Sequence, residues 1–349
     1  MIDKKKINLL PLKVTENQIF LNYGIGDYSF QTIYTYENLD LHKLAKGIGE
    51  CNFEKICFHM LLFEANKLLS LGASSIDAGI YSKFISVELA ELWNTCGENI
   101  WAQWRYQNNK PNYKFAKLVG QNIPSEPIDY EVNTEKKYLV FCGGGKDSLL
   151  MAELLNSSGE KFDSLGYSID FYGSHDLQRK SIESLSRVVN PGNYSHLYIQ
   201  DTFMSSPILN VDKDYDYKEL IGGETPSSLF SAIPYVLANG YSFLVLGNEK
   251  SADFGNLNWD KEAGREINHQ WGKSFEAESL LSDYISTHLL KSCKYFSLLK
   301  PFRDPAIFKA LGQFQEKLEF THSCNVKKPW CKKCPKCAYV WLSLSLIHI

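Results

Sequence analysis

An apolar strand that runs into three consecutive glycines and then into a helix is the feature that most constrains this 349-residue chain. The strand pattern begins at Tyr138, the loop at 142–148 reads CGGGKDS, and an amphipathic pattern continues to Leu155. Glycines let the backbone turn sharply and bring its N–H groups close to an anion. The N-terminus of the following helix adds unpaired donors and the positive end of its dipole. This order of elements predicts a nucleotide phosphate site.

The loop differs from two better-known phosphate motifs. A P-loop has Ser or Thr directly after Gly-Lys, where this chain has Asp147, and its upstream glycine is replaced by Val140. The dinucleotide fingerprint fails because Ser148 stands at its third glycine. A glycine-rich turn without a ligand is the remaining alternative. The loop residues that we predict to contact nucleotide are Gly143, Gly144, Gly145, Lys146, Asp147 and Ser148.

Composition indicates an ordinary globular protein. The chain is 44% hydrophobic and 22% charged, and its net charge of -3 gives no reason to expect a nucleic-acid partner. No stretch approaches the roughly 20 continuous apolar residues that cross a bilayer, and the lysine-rich start lacks the apolar centre of a signal peptide. We therefore expect a cytoplasmic protein that acts on a small molecule and has no membrane partner.

Patterns along the chain divide it into segments. Residues 1–125 are predicted to form an N-terminal α+β module, and residues 126–137 a connector. From 138 to 343, alternating strands and helices indicate an α/β fold with a doubly wound parallel sheet. Residues 344–349 resemble a translated sequencing-adapter scar, and we set them aside as a non-native tail.

The parallel sheet predicts where a ligand binds. The expected strands are 138–141, 164–169, 195–199 and 242–246, and the expected helices are 148–156, 175–188 and 227–238. In such sheets ligands lie beyond the carboxyl ends of the strands. The loops after residues 141, 169 and 246 should therefore share one crevice.

The loop after residue 246 is dense in polar groups. Its residues predicted to line the nucleotide site are Gly247, Asn248, Glu249, Ser251 and Asp253. Glu249 and Asp253, with Asp147, are candidate ligands of Mg2+, because carboxylate oxygens suit this cation. The alternative is a solvated loop with no ligand.

A second polar run, 264–276, contains imidazole, ammonium and carboxylate groups. His269 and Lys273 are four residues apart and share a face if the run is helical, and Glu276 follows three residues later on nearly the same face. The run predicts a functional site, and an exposed polar helix start is the alternative.

Four of the nine cysteines are closely spaced near the end of the chain: Cys324, Cys331, Cys334 and Cys337. Four thiolates at this spacing suit tetrahedral Zn2+ with no open position, which indicates a structural site. A redox pair is the competing interpretation, but a thioredoxin-like C-x-x-C should open a helix near the start of the sheet. The odd total of cysteines argues against a disulfide framework.

These motifs resemble the PP-loop ATP pyrophosphatase superfamily, whose Ser-Gly-Gly-x-Asp-Ser signature differs from 143–148 in having Ser at the position of Gly143. Within it, the chain looks most similar to the MurL family of UDP-N-acetyl-α-D-muramoyl-L-alanyl-L-glutamate epimerases. The matching segments are 143–148, 247–252, 268–274, 295–301 and 331–338.

The resemblance implies an adenine nucleotide alpha hydrolase-like fold with a zinc knuckle at 324–337. It implies an ATP- and Mg2+-dependent isomerase of peptidoglycan precursor synthesis. The terminal L-Glu of UDP-MurNAc-L-Ala-L-Glu would become D-Glu through an acyl-adenylate, with release of AMP and pyrophosphate. Adenylation removes the carboxylate charge that opposes loss of the α-proton. His269, Lys273 and Glu276 would then act as base and acid.

Two alternatives stay open. Another carboxylate-adenylating PP-loop enzyme, similar to 7-cyano-7-deazaguanine synthase, would require ammonia and would ignore UDP-linked dipeptides. A binding module would hold nucleotide without turnover, as the glycine at 143 in place of Ser suggests. Release of pyrophosphate with each carboxylate substrate separates the three functions.

Overall fold

The computed structural model describes residues 6–135, 137–208, 223–262, 264–324, 326–327 and 329–346. The strands are β1 Lys6–Leu9, β2 Lys13–Val14, β3 Gln18–Ile25, β4 Tyr28–Tyr36, β5 Ser75–Asp77, β6 Tyr138–Cys142, β7 Phe162–Ile169, β8 Tyr194–Asp201, β9 Phe243–Leu246, β10 Leu257–Trp259, β11 Arg265–Ile267 and β12 Lys294–Ser297. The α-helices are α1 Leu41–Ile48, α2 Glu50–Glu64, α3 Val87–Ile100, α4 Ala102–Gln107, α5 Lys146–Ser157, α6 His175–Val189, α7 Glu224–Asn239, α8 Phe275–Tyr284, α9 Asp304–Leu311 and α10 Pro335–Leu346.

The central part of the main sheet is parallel. Its order is β12-β9-β6-β7-β8, and every neighbouring pair in this series runs in the same direction. Leu139 and Val140 of β6 are both buried, as is typical of a parallel strand covered on both faces. The α/β sheet predicted from residue 138 onward is therefore confirmed.

The N-terminal strands extend the same sheet. β4 pairs antiparallel with β8, with Thr32 opposite Asp201, and the order continues through β3 and β1 to β5. The whole sheet is thus mixed rather than purely parallel. Strands from residues 1–125 and from residues 138–343 belong to one continuous sheet. The boundary between an N-terminal module and the α/β domain stays a prediction from the sequence.

Alternate residues of the central strands enter two apolar cores on opposite faces of the sheet. Leu139 and Leu244 belong to the larger core, which also holds the aromatic residues of the N-terminal helices. Val140 and Val245 belong to the core beneath α5, α6 and α9. The period of two along each strand produces this separation.

The C-terminal residues that we set aside as a non-native tail begin within a helix. Residues 344–346 continue α10, and residues 347–349 lie outside the described residues. Within the described ranges, every helix is too short or too polar to cross a membrane.

A buried ion-paired group joins the N-terminal helices to the sheet. Lys67 contacts Glu64 and lies 2.7 Å from Asp201 Oδ2. Glu64 also accepts hydrogen bonds from Tyr34 (2.6 Å) and Thr32 (2.9 Å). Burial alone would lower the pKa of Lys67, but the charges of Asp201 and Glu64 hold it well above the ordinary value of 10.5. The lysine therefore remains charged inside the protein.

Replacement of Lys67 by methionine leaves two buried carboxylates without their cation. We expect the free energy of unfolding to fall by about 3–5 kcal/mol, as when one partner of a buried ion pair is removed. The control Lys6→Met removes an exposed pair with Asp77 and should cost less than about 1 kcal/mol. Urea denaturation followed by tryptophan fluorescence measures both variants, and equal losses would contradict the stabilising role of the buried group.

Candidate functional site

The turn between β6 and α5 adopts a conformation that requires glycine. Gly144 has a φ of +79°, and its carbonyl accepts a hydrogen bond from the amide of His322 at 2.8 Å. A Cβ on Gly144 would lie 2.5 Å from Nε2 of the same histidine, whereas a Cβ on Gly143 would meet no atom within 4 Å. Protein atoms therefore fill the space beside Gly144, whereas the space beside Gly143 is open.

Ser148 and Ser323 complete the polar surroundings of the turn. The Gly143 amide donates to Ser148 Oγ at 3.0 Å, and the Lys146 amide donates to Ser323 Oγ at 3.3 Å. The first turn of α5 directs its N–H groups toward the same space. The turn thus combines backbone donors and hydroxyl groups, which is the donor set that phosphate oxygens require.

Lys146 is buried at the start of α5, and two carboxylates balance its positive charge. Its Nζ donates to Asp147 Oδ1 at 2.6 Å and to Asp304 Oδ1 at 2.9 Å. Burial would lower the pKa of Lys146, but these two charges raise it above 10.5. Tyr339 donates to the other oxygen of Asp304 at 2.6 Å. Sequence reasoning missed Asp304 and Tyr339, because no local pattern links them to residue 146.

The loop after β9 lies against the phosphate turn, as predicted. A Cβ on Gly247 would be 3.2 Å from the Cβ of Asp147. The Asn248 side chain donates to the Tyr295 hydroxyl at 3.2 Å, and Glu249 accepts a hydrogen bond from the Ser251 amide. The structure therefore brings the two predicted nucleotide loops together at the carboxyl end of the sheet.

Asp253 and Lys300 anchor this loop from behind. Asp253 Oδ1 accepts from Lys300 Nζ at 2.9 Å and from the Phe275 amide at 2.7 Å. Lys300 is buried and also donates to the carbonyls of Glu249 (3.3 Å) and Lys273 (2.6 Å). Asp253 is thus held by structural contacts on one of its oxygens.

The predicted Mg2+ ligands do not converge on one point. Among the described residues, the cysteine cluster is the one group of three or more potential ligands that converges within 4.8 Å. Asp147, Glu249 and Asp253 therefore remain separate carboxylates along one crevice. This arrangement fits Mg2+, which is commonly held by one or two carboxylates together with phosphate oxygens and water.

The run 264–276 is not one helix, so the condition under which His269 and Lys273 would share a helix face is not met. β11 ends at Ile267, a 3-10 turn spans Trp271–Lys273, and α8 begins only at Phe275. The side chain of Asn268 explains the interruption. It accepts from the Gln270 amide at 2.8 Å and donates to the Ala252 carbonyl at 2.7 Å, which favours a turn over a helix.

The three candidate proton-transfer residues have different surroundings. The exposed ring of His269 lies 3.2 Å from Asn256 Oδ1, and partial desolvation together with the charge of Lys273 lowers its pKa. Lys273 is half-buried. Glu276 is exposed and accepts from Trp271 Nε1 at 2.9 Å. A neutral imidazole near neutral pH can accept a proton, so His269 has the chemistry of a base.

The end of β7 belongs to a hydrogen-bonded group that sequence reasoning missed. Ser168 Oγ lies 2.8 Å from His175 Nδ1 and 3.0 Å from His196 Nε2. His175 Nε2 lies 3.2 Å from Asp170 Oδ1. Ser168 is fully buried, so it cannot reach a ligand as a nucleophile. The group instead joins the end of β7 to the start of α6.

A buried acid lies beneath the crevice. Glu278 of α8 is 5% exposed, and its burial raises its pKa. The charge of Lys300 acts in the opposite direction, and that of Asp253 raises the pKa further. The sequence shows Glu278 only as one acidic residue in a helical segment, so its burial could not be predicted.

The four predicted cysteines converge. Their sulfur atoms lie within 4.8 Å of one another, with Sγ–Sγ distances of 3.9 Å (Cys324–Cys334), 3.8 Å (Cys331–Cys337) and 3.5 Å (Cys334–Cys337). Such spacings fit four thiolates each about 2.3 Å from a central ion. Burial would raise the pKa of Cys324, but backbone amides of the loop that follows it lower the pKa to about 6. The cluster can therefore hold a metal ion.

Comparisons with known proteins agree with the sequence motifs. A sequence model described as the MurL N-terminal domain matches residues 220–298. The chain is 29% identical over 257 residues to a UDP-N-acetyl-alpha-D-muramoyl-L-alanyl-L-glutamate epimerase of Salinispora tropica, covering 70% of this chain and 51% of that protein. A Micromonospora protein of the same name is 27% identical over 264 residues, covering 70% and 52%.

The chain thus spans about half the length of the curated relatives it matches. One solved structure to which it is similar is a predicted subunit of a tRNA methyltransferase from Methanocaldococcus jannaschii. The two share 16% identity and a TM-score of 0.31 over 49% of this chain and 73% of the other. The resemblance to the MurL family is confirmed by the matched family model and the named relatives.

Substitution of Gly144 by alanine should destabilise the fold by about 2–4 kcal/mol, because it combines a positive φ with a clash against His322. The neighbouring Gly143→Ala variant is the matched control. Its Cβ enters open space, so the free energy of unfolding should change by less than about 1 kcal/mol. Urea denaturation of both variants tests the geometry, and similar stabilities would contradict it.

Proposed function

We propose that this chain catalyses ATP-dependent epimerisation of the terminal L-Glu of UDP-MurNAc-L-Ala-L-Glu to D-Glu, through an acyl-adenylate and with release of AMP and pyrophosphate. One observation carries the proposal. An open glycine turn meets the loop at 247–253 in a chain 27–29% identical to proteins named as this epimerase. Because the chain spans about half of those relatives, their activity is proposed here and not assigned.

The first step would be adenylation of the substrate carboxylate. A carboxylate oxygen attacks the α-phosphorus of ATP, and the bond from that phosphorus to the pyrophosphate leaving group breaks. The backbone amides at the start of α5 would stabilise the leaving pyrophosphate, and Lys146, paired with Asp147 and Asp304, would hold the start of α5 in place. Asp147 accepts from Lys146 and Glu249 from the Ser251 amide, whereas Asp253 accepts from both Lys300 and the first residue of α8. Asp147 and Glu249, each with one partner, are therefore the carboxylates proposed to hold Mg2+.

The second step would invert the α-carbon. The mixed anhydride lacks the carboxylate charge, so its α-proton is more acidic. His269 is proposed as the base because its lowered pKa favours the neutral ring. Lys273 or Glu276 is proposed to return a proton to the opposite face. Water then hydrolyses the anhydride, which yields AMP and the D-Glu carboxylate.

Alanine at His269 or Lys273 should separate the two steps. We expect each variant to form AMP while exchange of the Glu α-proton with deuterated water falls by about 100- to 10,000-fold, the usual contribution of a positioned acid or base. Mass spectrometry measures the exchange, and a pyrophosphate assay measures adenylation. The exposed His42→Ala variant is the control and should retain both activities.

Full exchange in both variants would remove these residues from proton transfer. Pyrophosphate release with 7-carboxy-7-deazaguanine and ammonium, but not with the UDP-linked dipeptide, would favour the synthase-like alternative. Binding of ATP without pyrophosphate release on either substrate would favour a binding module.

We also propose that Cys324, Cys331, Cys334 and Cys337 hold one structural Zn2+ ion. Removal of the metal with a chelator should lower the stability of the protein, because binding by four thiolates contributes on the order of 10 kcal/mol to structural zinc sites. The Cys331→Ser variant should lose the metal, whereas Cys51→Ser, at an exposed cysteine outside the cluster, should keep it. Elemental analysis that finds equal zinc in both variants would contradict the proposal.

A further inference from the structure

The helix that follows the cysteine cluster reaches the phosphate turn through direct contacts. α10 begins at Pro335, between the cluster residues Cys334 and Cys337. Tyr339, one turn further on, donates to Asp304 Oδ2 at 2.6 Å, and Asp304 Oδ1 accepts from Lys146 Nζ at 2.9 Å. A continuous chain of polar contacts therefore connects α10 to the first residue of α5.

Aromatic rings form a second connection between the same elements. Lys146 Nζ lies 5.0 Å from the centre of the Phe308 ring, and Lys336 Nζ lies 5.4 Å from the centre of the Tyr339 ring. The two rings contact each other edge to face, with their centres 5.8 Å apart. Each of the two ammonium groups thus packs on one of two rings that contact each other.

The two lysines differ in their counter-charges. Lys146 has two carboxylate partners, Asp147 and Asp304. Lys336 is half-buried, and within the part of the chain that the structure describes no carboxylate lies within 4.0 Å of its Nζ. The carboxylates that act on it electrostatically, Asp147 and Asp304, are already paired with Lys146. A partly desolvated ammonium without an ion pair of its own is costly, and an anionic ligand would offset that cost.

The phosphate turn supplies the reason for an anion at this place. Its open side faces Gly143, where a Cβ would meet no atom within 4 Å. The donors of the α5 N-terminus suit one phosphate group, and a second cation suits the additional charges of a polyphosphate. A compact lysine ammonium on a flexible stem can follow such a group as it becomes a leaving group.

We propose that Lys336 binds the pyrophosphate portion of ATP, so that the helix leaving the cysteine cluster contributes directly to the nucleotide site. The proposal rests on the proposed ATP-dependent function and adds to it a residue outside the two nucleotide loops. The cysteine cluster then has a second role, since it determines where α10 begins and hence where Lys336 lies.

Calorimetric titration of the zinc-loaded full chain with inorganic pyrophosphate, MgATP and adenosine tests the assignment. For Lys336→Met we expect binding of pyrophosphate and MgATP to weaken by about 10- to 100-fold, the usual effect of losing one charge-assisted contact. Binding of adenosine, which has no phosphate, should not change. Lys336→Arg keeps the positive charge and should recover most of the loss.

The control is Lys309→Met, which removes the same charge from an exposed position on α9. It should bind all three ligands as the unmodified protein does. Zinc content and thermal midpoint, measured for each variant, show whether the cluster and fold are retained. If Lys336→Met has lost zinc, Lys336→Gln is titrated instead, and the same loss of affinity is expected.

Two negative results have different meanings. If the unmodified protein binds neither pyrophosphate nor MgATP, the proposed function itself fails. If it binds them and the Lys336 and Lys309 variants bind equally well, the role of Lys336 is overturned while the proposed function stands. Equal weakening of adenosine and pyrophosphate binding would also overturn it, because it would indicate a general disturbance of the site.

Discussion

The packing of Gly144 against His322 is the contact on which the candidate site depends. The carbonyl of Gly144 accepts a hydrogen bond from the histidine amide, and the absent Cβ leaves room for the imidazole ring. This contact joins the turn after β6 to the segment that leads into the cysteine cluster, nearly 180 residues away. The turn is therefore shaped from behind by the C-terminal part of the chain, and only its front is available to a ligand.

Charge balance organises the rest of the crevice. Lys146 and Lys300 are both buried, and each bridges elements that are distant in sequence: Lys146 joins α5 to α9, and Lys300 joins β12 to the loop after β9. Their carboxylate partners, Asp304 and Asp253, stand at or near the starts of helices α9 and α8. Acidic groups are favourable at helix N-termini, so each ion pair is also a helix-start contact. Each buried lysine thereby contacts a carboxylate that also lies at a helix start.

Local patterns predicted the parts of the molecule that local physics determines. The four strands and three helices from 138 to 246 were predicted to within a few residues, because apolar runs and glycine turns report directly on backbone conformation. The cysteine spacing predicted the cluster because its four potential ligands are close together in the sequence. Helical spacing in the run 264–276 did not correspond to a helix, since the turn made by the Asn268 side chain outweighs it.

Contacts between distant residues could not be predicted from one sequence. Nothing near Tyr339 indicates that its hydroxyl meets Asp304, and nothing in the N-terminal strands shows that β4 pairs with β8. Both depend on how elements far apart in the chain pack together. The strands that carry the site loops are interior strands: β9 lies between β12 and β6, β6 between β9 and β7, and β7 between β6 and β8. The pairing of β4 with β8 moves the margin of the sheet still further from the site. Strands paired on both edges hold their loops more firmly than edge strands do, which suits a site where donors must stay in place as charge moves from a carboxylate to a leaving phosphate.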